Sequence, residues 1–238
     1  MIVFTGDWHG EYDRAYRKIK ALDLRDCVII QVGDFGIGFE RRKKDLRKLD
    51  ILNKQLVNRN IILYAIRGNH DDPIYFDGSI NLSNLKLLKD YTVLDIEGVK
   101  ILCVGGAISI DRKPNPDVVD AYGRKYKGRT EGTNYWSNEA FVFQNVDLVN
   151  IDIVVTHTAP DFAPPYTKYG MEKWIKHDPE LSELVDKERS ELTILYEQLK
   201  KTNNIGHWFY GHFHSSNTDY TDNTKFVLLN EHEFFELR

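Results

Sequence analysis

The side chains of this 238-residue chain that could do chemistry fall into five short clusters, each directly after a strand-like apolar run. The clusters are Gly6-Asp7-Trp8-His9-Gly10, Gly33-Asp34, Gly68-Asn69-His70-Asp71, Thr156-His157 and Gly211-His212-Phe213-His214. They supply carboxylates, an amide and imidazoles but no cysteine, a donor set that suits Mn, Fe, Zn, Co or Ni. Because open α/β sheets bind ligands beyond the carboxyl ends of their strands, we expect the five clusters to converge there.

The chemistry that such a donor set favours is that of two divalent metals. Paired metals lie about 3.5 to 4 Å apart and need a bridging carboxylate. Together they lower the pKa of a bridging water and clamp the oxygens of an in-line displacement. Hydrolysis of phosphate esters is the reaction that most needs this help, so the residues predict a dimetal hydrolase.

The elements that must position these residues begin with three strand-length runs rich in Ile and Val, at Ile2–Thr5, Cys27–Val32 and Ile61–Ile66. Between them, Glu11–Leu22 and Glu40–Asn58 have the apolar spacing of amphipathic helices. Such a βαβαβ order predicts a parallel sheet.

The rest of the chain predicts further strands, one long helix and one long loop. The predicted elements are a hairpin of Thr92–Ile96 with Val99–Val104, strands at Ile151–Thr156 and His207–Tyr210, an edge or hairpin strand at Lys225–Leu229, a helix capped by Asp178 with Pro179 as its first residue, and a weakly periodic loop at Ser109–Asn138. We expect one domain over residues 1–238.

Composition excludes several classes of protein. Hydrophobic residues make up 42% of the chain and charged residues 29%, which is globular composition, and the net charge of −4 disfavours a globally basic nucleic-acid binder. The two cysteines, Cys27 and Cys103, lie in apolar runs and form no disulfide framework. With no signal peptide or membrane span in the sequence, we expect a cytoplasmic protein with no membrane partner.

The five clusters occur in an order that resembles the calcineurin-like metallophosphoesterase superfamily. Its motifs run D-x-H, G-D, G-N-H-[D/E], H and G-H-x-H, and here they extend from Asp7 to His214. The resemblance implies an α/β fold, a four-layer α/β/β/α sandwich of two mixed sheets flanked by helices. It also implies two divalent metal ions per chain, with manganese preferred over Fe, Zn, Ni, Co or Mg.

The resemblance implies a role for each matching residue. Asp7, His9 and His214 would hold one metal, while Asn69, His157 and His212 would hold the other. Asp34 would bridge the two. His70 would stand beside the leaving group, Asp71 would hold its imidazole, and Asn69 would also contact a phosphate oxygen.

Two aromatic residues lie between predicted ligands, and we expect both to pack rather than to bind substrate. Trp8 stands between Asp7 and His9. In Gly211-His212-Phe213-His214, an extended backbone would place both histidines on one face and direct Phe213 away.

One block departs from a well-known pattern of the superfamily. Protein Ser/Thr phosphatases and dinucleoside tetraphosphatases carry G-D-x-x-D-R-G, in which the arginine grips phosphate. Here the block is Gly33-Asp34-Phe35-Gly36-Ile37-Gly38-Phe39, with no Asp-Arg pair. We therefore expect Arg67, Arg112 or a cation from Arg124 to Arg129 to contact the phosphate instead.

The predicted function is hydrolysis of phosphomonoesters or phosphodiesters by a hydroxide that bridges two metals. Three alternatives stay open: a nuclease or cyclic-nucleotide phosphodiesterase, a noncatalytic metal-binding scaffold, and a dimetal redox protein. The first would use two loops rich in aromatic and basic residues, Ala121–Arg129 and Pro164–Trp174. We expect a small-molecule or nucleotide phosphoester as substrate, with single-stranded nucleic acid as a possible partner; the oligomeric state is not predicted.

Overall fold

The computed structural model describes residues 1–168 and 170–237, over which the chain forms thirteen strands and four α-helices. The strands are β1 (Ile2–Thr5), β2 (Cys27–Gln31), β3 (Ile61–Ala65), β4 (Leu85–Leu87), β5 (Thr92–Ile96), β6 (Val99–Val104), β7 (Asn115–Val119), β8 (Lys125–Tyr126), β9 (Ile153–Thr156), β10 (His207–Tyr210), β11 (Asn217–Thr221), β12 (Thr224–Leu228) and β13 (Phe234–Glu236). The helices are α1 (Tyr12–Ala21), α2 (Arg42–Val57), α3 (Glu172–Ile175) and α4 (Leu181–Leu199).

Two large sheets carry the fold, and both are mixed. The first has the order β13-β1-β2-β3-β4, in which β1 to β4 are parallel and β13 is antiparallel to β1. The second has the order β11-β12-β10-β9-β6-β5, with a parallel centre and an antiparallel strand at each edge. The predicted α/β class with two mixed sheets is confirmed.

Three separate groups of buried apolar residues show how the layers stack. Alternate residues of β1 and β2, such as Val3 and Ile29, pack against Ile19 of α1 and the leucines of α2. On the other side of the molecule, Trp208 of β10 packs against Leu195 of α4. The order is therefore helix, sheet, sheet, helix.

The third group lies between the two sheets and joins them. It contains the residues that alternate with those facing the helices, including Phe4 and Ile30 from the first sheet and Val155 from the second. At its centre, the rings of Phe4 and Phe209 stack with centroids 3.7 Å apart, and both side chains are fully buried. This contact fixes the distance between the sheets close to the strands that carry the predicted site.

The sequence-based bounds of the predicted strands are correct within two residues. The run at Lys225–Leu229, predicted as an edge or hairpin strand, forms a hairpin with β11, but it is not an edge because β12 also pairs with β10. Helix α4 begins at Leu181 rather than Pro179, because the Asp178 carboxylate accepts from the Arg112 guanidinium (2.6 Å) and does not cap the helix.

Five short strands, β4, β7, β8, β11 and β13, were not predicted. Each has five residues or fewer and lies at a sheet edge or in the two-stranded β7-β8 hairpin, so none offers a long apolar run. The hairpin lies inside the long segment Ser109–Asn138. Tyr169, from the second aromatic and basic loop, lies outside the described residues.

Within residues 1–168 and 170–237, no helix has both the length and the apolar character that crossing a bilayer requires.

Replacing Phe209 with Ala should destabilise the protein by about 3 to 5 kcal/mol, because the substitution leaves a cavity between the two sheets. Urea unfolding measures this loss. Tyr220→Ala, at a side chain of β11 that is 65% exposed, is the control and should cost less than about 0.5 kcal/mol. Equal losses in the two variants would contradict the assignment of the inter-sheet core.

Candidate metal centre

The predicted ligands come from the carboxyl ends of five parallel strands, three in one sheet and two in the other. The first sheet presents Asp7 and His9 after β1, Asp34 after β2 and Asn69 after β3. The second sheet presents His157 after β9, and His212 and His214 after β10. Since packing of the sheets aligns these ends, all seven side chains meet in one crevice.

Four of the ligands form a first group on one side of the crevice. One ligand atom from each of Asp7, His9, Asp34 and His214 lies within 4.8 Å of the others. The Nε2 atoms of His9 and His214 are 3.0 Å apart, and His214 Nε2 lies 3.4 Å from Asp7 Oδ2. Asp7 is fully buried while His214 is exposed, so this group opens to solvent at His214.

The other three ligands form a second group. The amide oxygen of Asn69 lies 3.2 Å from His157 Nε2 and 2.9 Å from His212 Nδ1. His157 Nε2 is also 3.2 Å from Asp34 Oδ1. The two groups therefore share Asp34.

Asp34 lies between the groups with one carboxylate oxygen toward each. Its Oδ2 is 3.8 Å from His9 Nδ1, while its Oδ1 faces His157. A buried carboxylate between two sets of imidazole and oxygen donors is the arrangement that a pair of divalent cations requires. The residues present thus fit two metals.

Four of the ligand residues have a strained, left-handed backbone, which directs their side chains into the crevice. His9, Asp34, His212 and His214 all have positive φ, between 44° and 69°, although none is glycine. Each such residue costs of order 1 to 3 kcal/mol, and such residues concentrate at functional sites. The predicted extended backbone at Gly211–His214 is therefore wrong: left-handed turns, rather than strand alternation, direct the two histidines.

Two glycines are required because ligands approach their backbone closely. A Cβ on Gly68 would lie 2.1 Å from Asp34 Oδ1, and one on Gly211 would lie 2.1 Å from Asp7 Oδ1. Neither glycine has a positive φ. Their role is to leave room for the two carboxylates.

The two aromatic residues between ligands differ in their surroundings. Trp8 is fully buried, and its Nε1 donates to Thr5 Oγ1 (3.0 Å), which confirms that it packs. Phe213 is only half-buried. It contacts His212 and the Arg189 guanidinium and also lines the cleft described below, so it is not directed away from the site.

Hydrogen bonds behind the ligands fix how they face the crevice. His157 Nδ1 donates to the Val32 carbonyl (2.9 Å), which turns Nε2 toward Asp34 and Asn69. The Asn69 amide donates to Ser109 Oγ (3.1 Å), which orients the amide oxygen toward the histidines and leaves one N–H for the predicted phosphate contact. Ser109 in turn donates to the buried Glu139 through its Oγ (2.9 Å) and its N (2.6 Å).

The electrostatics of the crevice follow from the buried Asp34. Burial alone would raise the pKa of this carboxyl, but His157 and His70 beside it hold that pKa well below its usual range. Burial would lower the pKa of His157, whereas the charge of Asp34 raises it to about 9. Burial and the neighbouring His157 lower the pKa of His212 well below its usual range.

His70 lies at the edge of the crevice and contacts an arginine that no motif identified. Its Nε2 is 2.9 Å from Arg129 Nη2, and because guanidinium has only donors, Nε2 accepts. Arg129 is fixed by Asp111, which accepts from both its Nε and Nη2. Burial, followed by the charge of Arg129, lowers the pKa of His70, although Asp34 opposes this shift.

The predicted role of Asp71 is wrong. Its carboxylate accepts four backbone N–H groups, from Phe35 (3.0 Å), Gly36 (2.7 Å), Ile37 (3.1 Å) and Gly68 (2.7 Å), so it does not hold the His70 imidazole. Asp71 instead ties the loop after β2 to the loop after β3. That tie keeps Asp34 and Asn69 at a fixed separation.

Three of the arginines expected to bind phosphate have other partners. Arg67 is buried and bonds to Asp90 and to the carbonyls of Asn138, Glu139 and Ala140. Arg112 forms a two-pronged pair with Asp178, and the exposed Arg124 pairs with Asp120 in its own hairpin. Only Arg129, at the end of the predicted range from Arg124 to Arg129, reaches His70.

A cleft of about 420 Å³ extends from the metal-ligand side chains over α4. It is lined at one end by Asp34, Asn69, His70, Arg129, His212 and His214. The volume is ordinary for a small-molecule site. A substrate in this cleft would therefore have its phosphate beside both ligand groups and beside His70.

Comparison with known proteins agrees with the motifs. A family model described as calcineurin-like phosphoesterase matches residues 1–216, which include every predicted ligand from Asp7 to His214. No curated protein sequence matches the chain.

Three solved structures resemble the chain at low identity, each over 97% of its length. One is described as an archaeal phosphodiesterase (13% identity, 83% of that chain, TM-score 0.40). Another is phosphopantetheinyl hydrolase from Mycobacterium tuberculosis (14%, 89%, 0.42). A third is GAP50, described as the anchor in the inner membrane complex of Plasmodium (10%, 71%, 0.43).

Gly211→Ala should weaken metal binding strongly while the protein stays folded, because the new Cβ would displace the Asp7 carboxylate. Isothermal calorimetry with Mn or Zn measures the loss. Gly206→Ala is a matched control just before the same strand, where a Cβ meets only the Asp152 carbonyl at 3.8 Å, and should bind as wild type. Wild-type binding by Gly211→Ala would contradict the placement of Asp7.

The buried Glu139 should make the metal-free protein less stable as pH rises. Burial raises the pKa of this carboxyl from 4.5 to about 8, although the Ser109 donors oppose the shift. The folded state thus holds the proton more tightly than the unfolded state, and the free energy of unfolding should fall between pH 4.5 and about 8. Glu139→Gln should flatten this decline in urea unfolding with chelator present, whereas the exposed Glu197→Gln should leave it unchanged. Parallel pH profiles for all three proteins would refute the assignment.

Proposed function

Because the chain belongs to the calcineurin-like phosphoesterase family, we propose that it hydrolyses phosphomonoesters or phosphodiesters with two divalent metals per chain. The observation that carries this proposal is Asp34, whose two oxygens face two separate groups of ligands. A single metal would need only one of these groups. The second group adds three further donor side chains that converge beside Asp34.

The seven ligand residues divide into two sets of three and one residue that both metals share. Asp7, His9 and His214 would hold one metal, Asn69, His157 and His212 the other, and Asp34 both. Bound there, the metals would supply a hydrolytic nucleophile near neutral pH and stabilise negative charge on the phosphoryl oxygens. Manganese is the first metal to test, and the cytoplasm is the proposed compartment, since Cys27 and Cys103 are both free and buried.

Arg129 and His70 would act on the ester itself. Arg129, held by Asp111, would donate to a phosphoryl oxygen, the task that the arginine of the missing Asp-Arg pair performs elsewhere in the superfamily. In the present geometry the same N–H reaches His70 Nε2. When a phosphoryl oxygen takes that N–H, Nε2 becomes available to hold the proton that the departing alcohol oxygen receives.

Hydrolysis accounts for the site better than the alternatives do. A noncatalytic scaffold has no need for a histidine and an ion-paired arginine beside the ligands. A nuclease would need free cations along a groove, and two of the cations in the aromatic and basic loops are already paired, Arg124 with Asp120 and Lys168 with Asp186. No observation favours redox chemistry over hydrolysis.

Asp34→Asn should abolish metal-restored hydrolysis. Chelator-stripped protein is given Mn, Zn, Ni or Mg, and the hydrolysis of p-nitrophenyl phosphate and its bis ester is measured. Losing the bridging charge should lower kcat/KM by about 10³-fold or more. Asp50→Asn, at an exposed position on α2, is the control and should keep full activity. Wild-type activity of Asp34→Asn would overturn the proposal.

Arg129→Ala should lower kcat/KM by about 10- to 100-fold, the effect of losing one charge-assisted hydrogen bond to phosphate. Arg124→Ala, in the same segment, should leave it unchanged. Steady-state kinetics on the ester that wild type hydrolyses best measure both variants. Equal rates for the two would assign phosphate binding to another residue.

A further inference from the structure

The cleft beside the metal centre is lined by two kinds of side chain. Metal ligands, His70 and Arg129 form its polar part. Its apolar part consists of Ile110, Met171, Trp174, Val185 and Phe213. If the proposed function holds, the ester group of a phosphate bound at the polar part would have the apolar part available to it.

The five apolar side chains are only half-buried, and all of them line the same cleft. Contiguous apolar surface that remains open to solvent in a cleft typically marks a binding site. Trp174 is held edge-on to Tyr126, with ring centroids 5.3 Å apart. Phe213 is held beneath the Arg189 guanidinium, 5.5 Å from its ring. The aromatic part of this lining is thus formed in advance.

Among the described residues that line the cleft, the lysine and the two arginines already use their hydrogen-bond donors within the protein. Lys168 donates to Asp186 and Ser182. Arg189 donates to four backbone carbonyls, of Ala159, Pro160, Ala163 and Pro165. Arg129 is paired with Asp111.

Glu188 also lines the cleft. It is buried and accepts the backbone N–H groups of Ile108 (3.3 Å) and Phe141 (3.0 Å). It therefore offers no free charge to a ligand. Within the described lining, a polyphosphate or a nucleic-acid backbone would therefore find no lysine or arginine whose donors are free.

We propose that the substrate is a phosphoester of an apolar alcohol, alkyl or aryl, whose hydrocarbon part lies against Met171, Trp174 and Phe213. This inference rests on the proposed function and names its substrate class. Burying such a group in a preformed apolar cleft contributes binding energy without any unpaired charge. Because the donors of the cleft are occupied, its apolar part disfavours nucleotides and glycerol phosphates.

Ethyl and hexyl phosphate test the proposal, because the two esters have alcohols of similar acidity and differ only in four methylenes. Each methylene that is buried should raise kcat/KM about fourfold. We expect hexyl phosphate to exceed ethyl phosphate by at least tenfold, and to exceed AMP and glycerol 2-phosphate as well. Met171→Gln and Trp174→Ala should bring the ratio of kcat/KM for hexyl phosphate to that for ethyl phosphate close to one. Tyr122→Ala, in an exposed loop, should change neither ester.

The ratio between esters separates specificity from structural damage. Trp174 contacts Tyr126, whose hydroxyl donates to Asp111 (2.9 Å), the partner of Arg129, so a disturbed fold would slow both esters alike. Equal losses on both esters, equal kcat/KM for ethyl and hexyl phosphate in wild type, or a preference for AMP would each overturn the inference.

Calorimetry of hexyl- and ethylphosphonate on the metal-loaded protein keeps the two proposals distinguishable. Tighter binding of hexylphosphonate that is lost in Met171→Gln would support the apolar subsite even if no ester is hydrolysed. The absence of hydrolysis would then count against the proposed function alone. Equal binding of the two phosphonates would overturn the subsite alone if hydrolysis is observed.

Discussion

The rest of the structure depends on one buried carboxylate, that of Asp34, which is 1% exposed. A charge removed from water needs compensation, and here two sets of imidazoles supply it, one toward each oxygen. The His70 backbone N–H adds a direct hydrogen bond to Oδ1 at 2.7 Å. The backbone of Asp34 is left-handed, so its position depends on the loops after β2 and β3. Asp71 holds these two loops together by accepting four backbone N–H groups.

The sandwich exists in this form because two sheets must bring parallel strand ends to the same place. Neither sheet carries a complete ligand set: the first lacks the three histidines that follow β9 and β10, and the second lacks every carboxylate. The stacked Phe4 and Phe209 rings belong to β1 and β10, the strands that lead to Asp7 and His212. The packing that holds the two sheets together therefore also brings the full set of ligands into one site.

Sequence patterns predicted the parts of the molecule that obey short-range rules. Apolar runs identified the central strands because these are buried on both faces, and glycine-flanked acids and histidines identified the ligands. The partners of charged side chains could not be predicted in the same way. Asp71 bonds to backbone groups that any sequence would offer, and Ser109 and Glu139 join Asn69 only through the tertiary fold. Arg129 lay within a predicted range of cations, but nothing in that range distinguished it from Arg124.

A crystal structure of the manganese-loaded protein with anomalous scattering data tests the central claim most directly. The account predicts two manganese peaks about 3.5 to 4 Å apart, with the Asp34 carboxylate bonded to both. Three of the other ligands should contact each ion. A single peak, or two peaks of which Asp34 contacts only one, would contradict the assignment of Asp34 as the bridge.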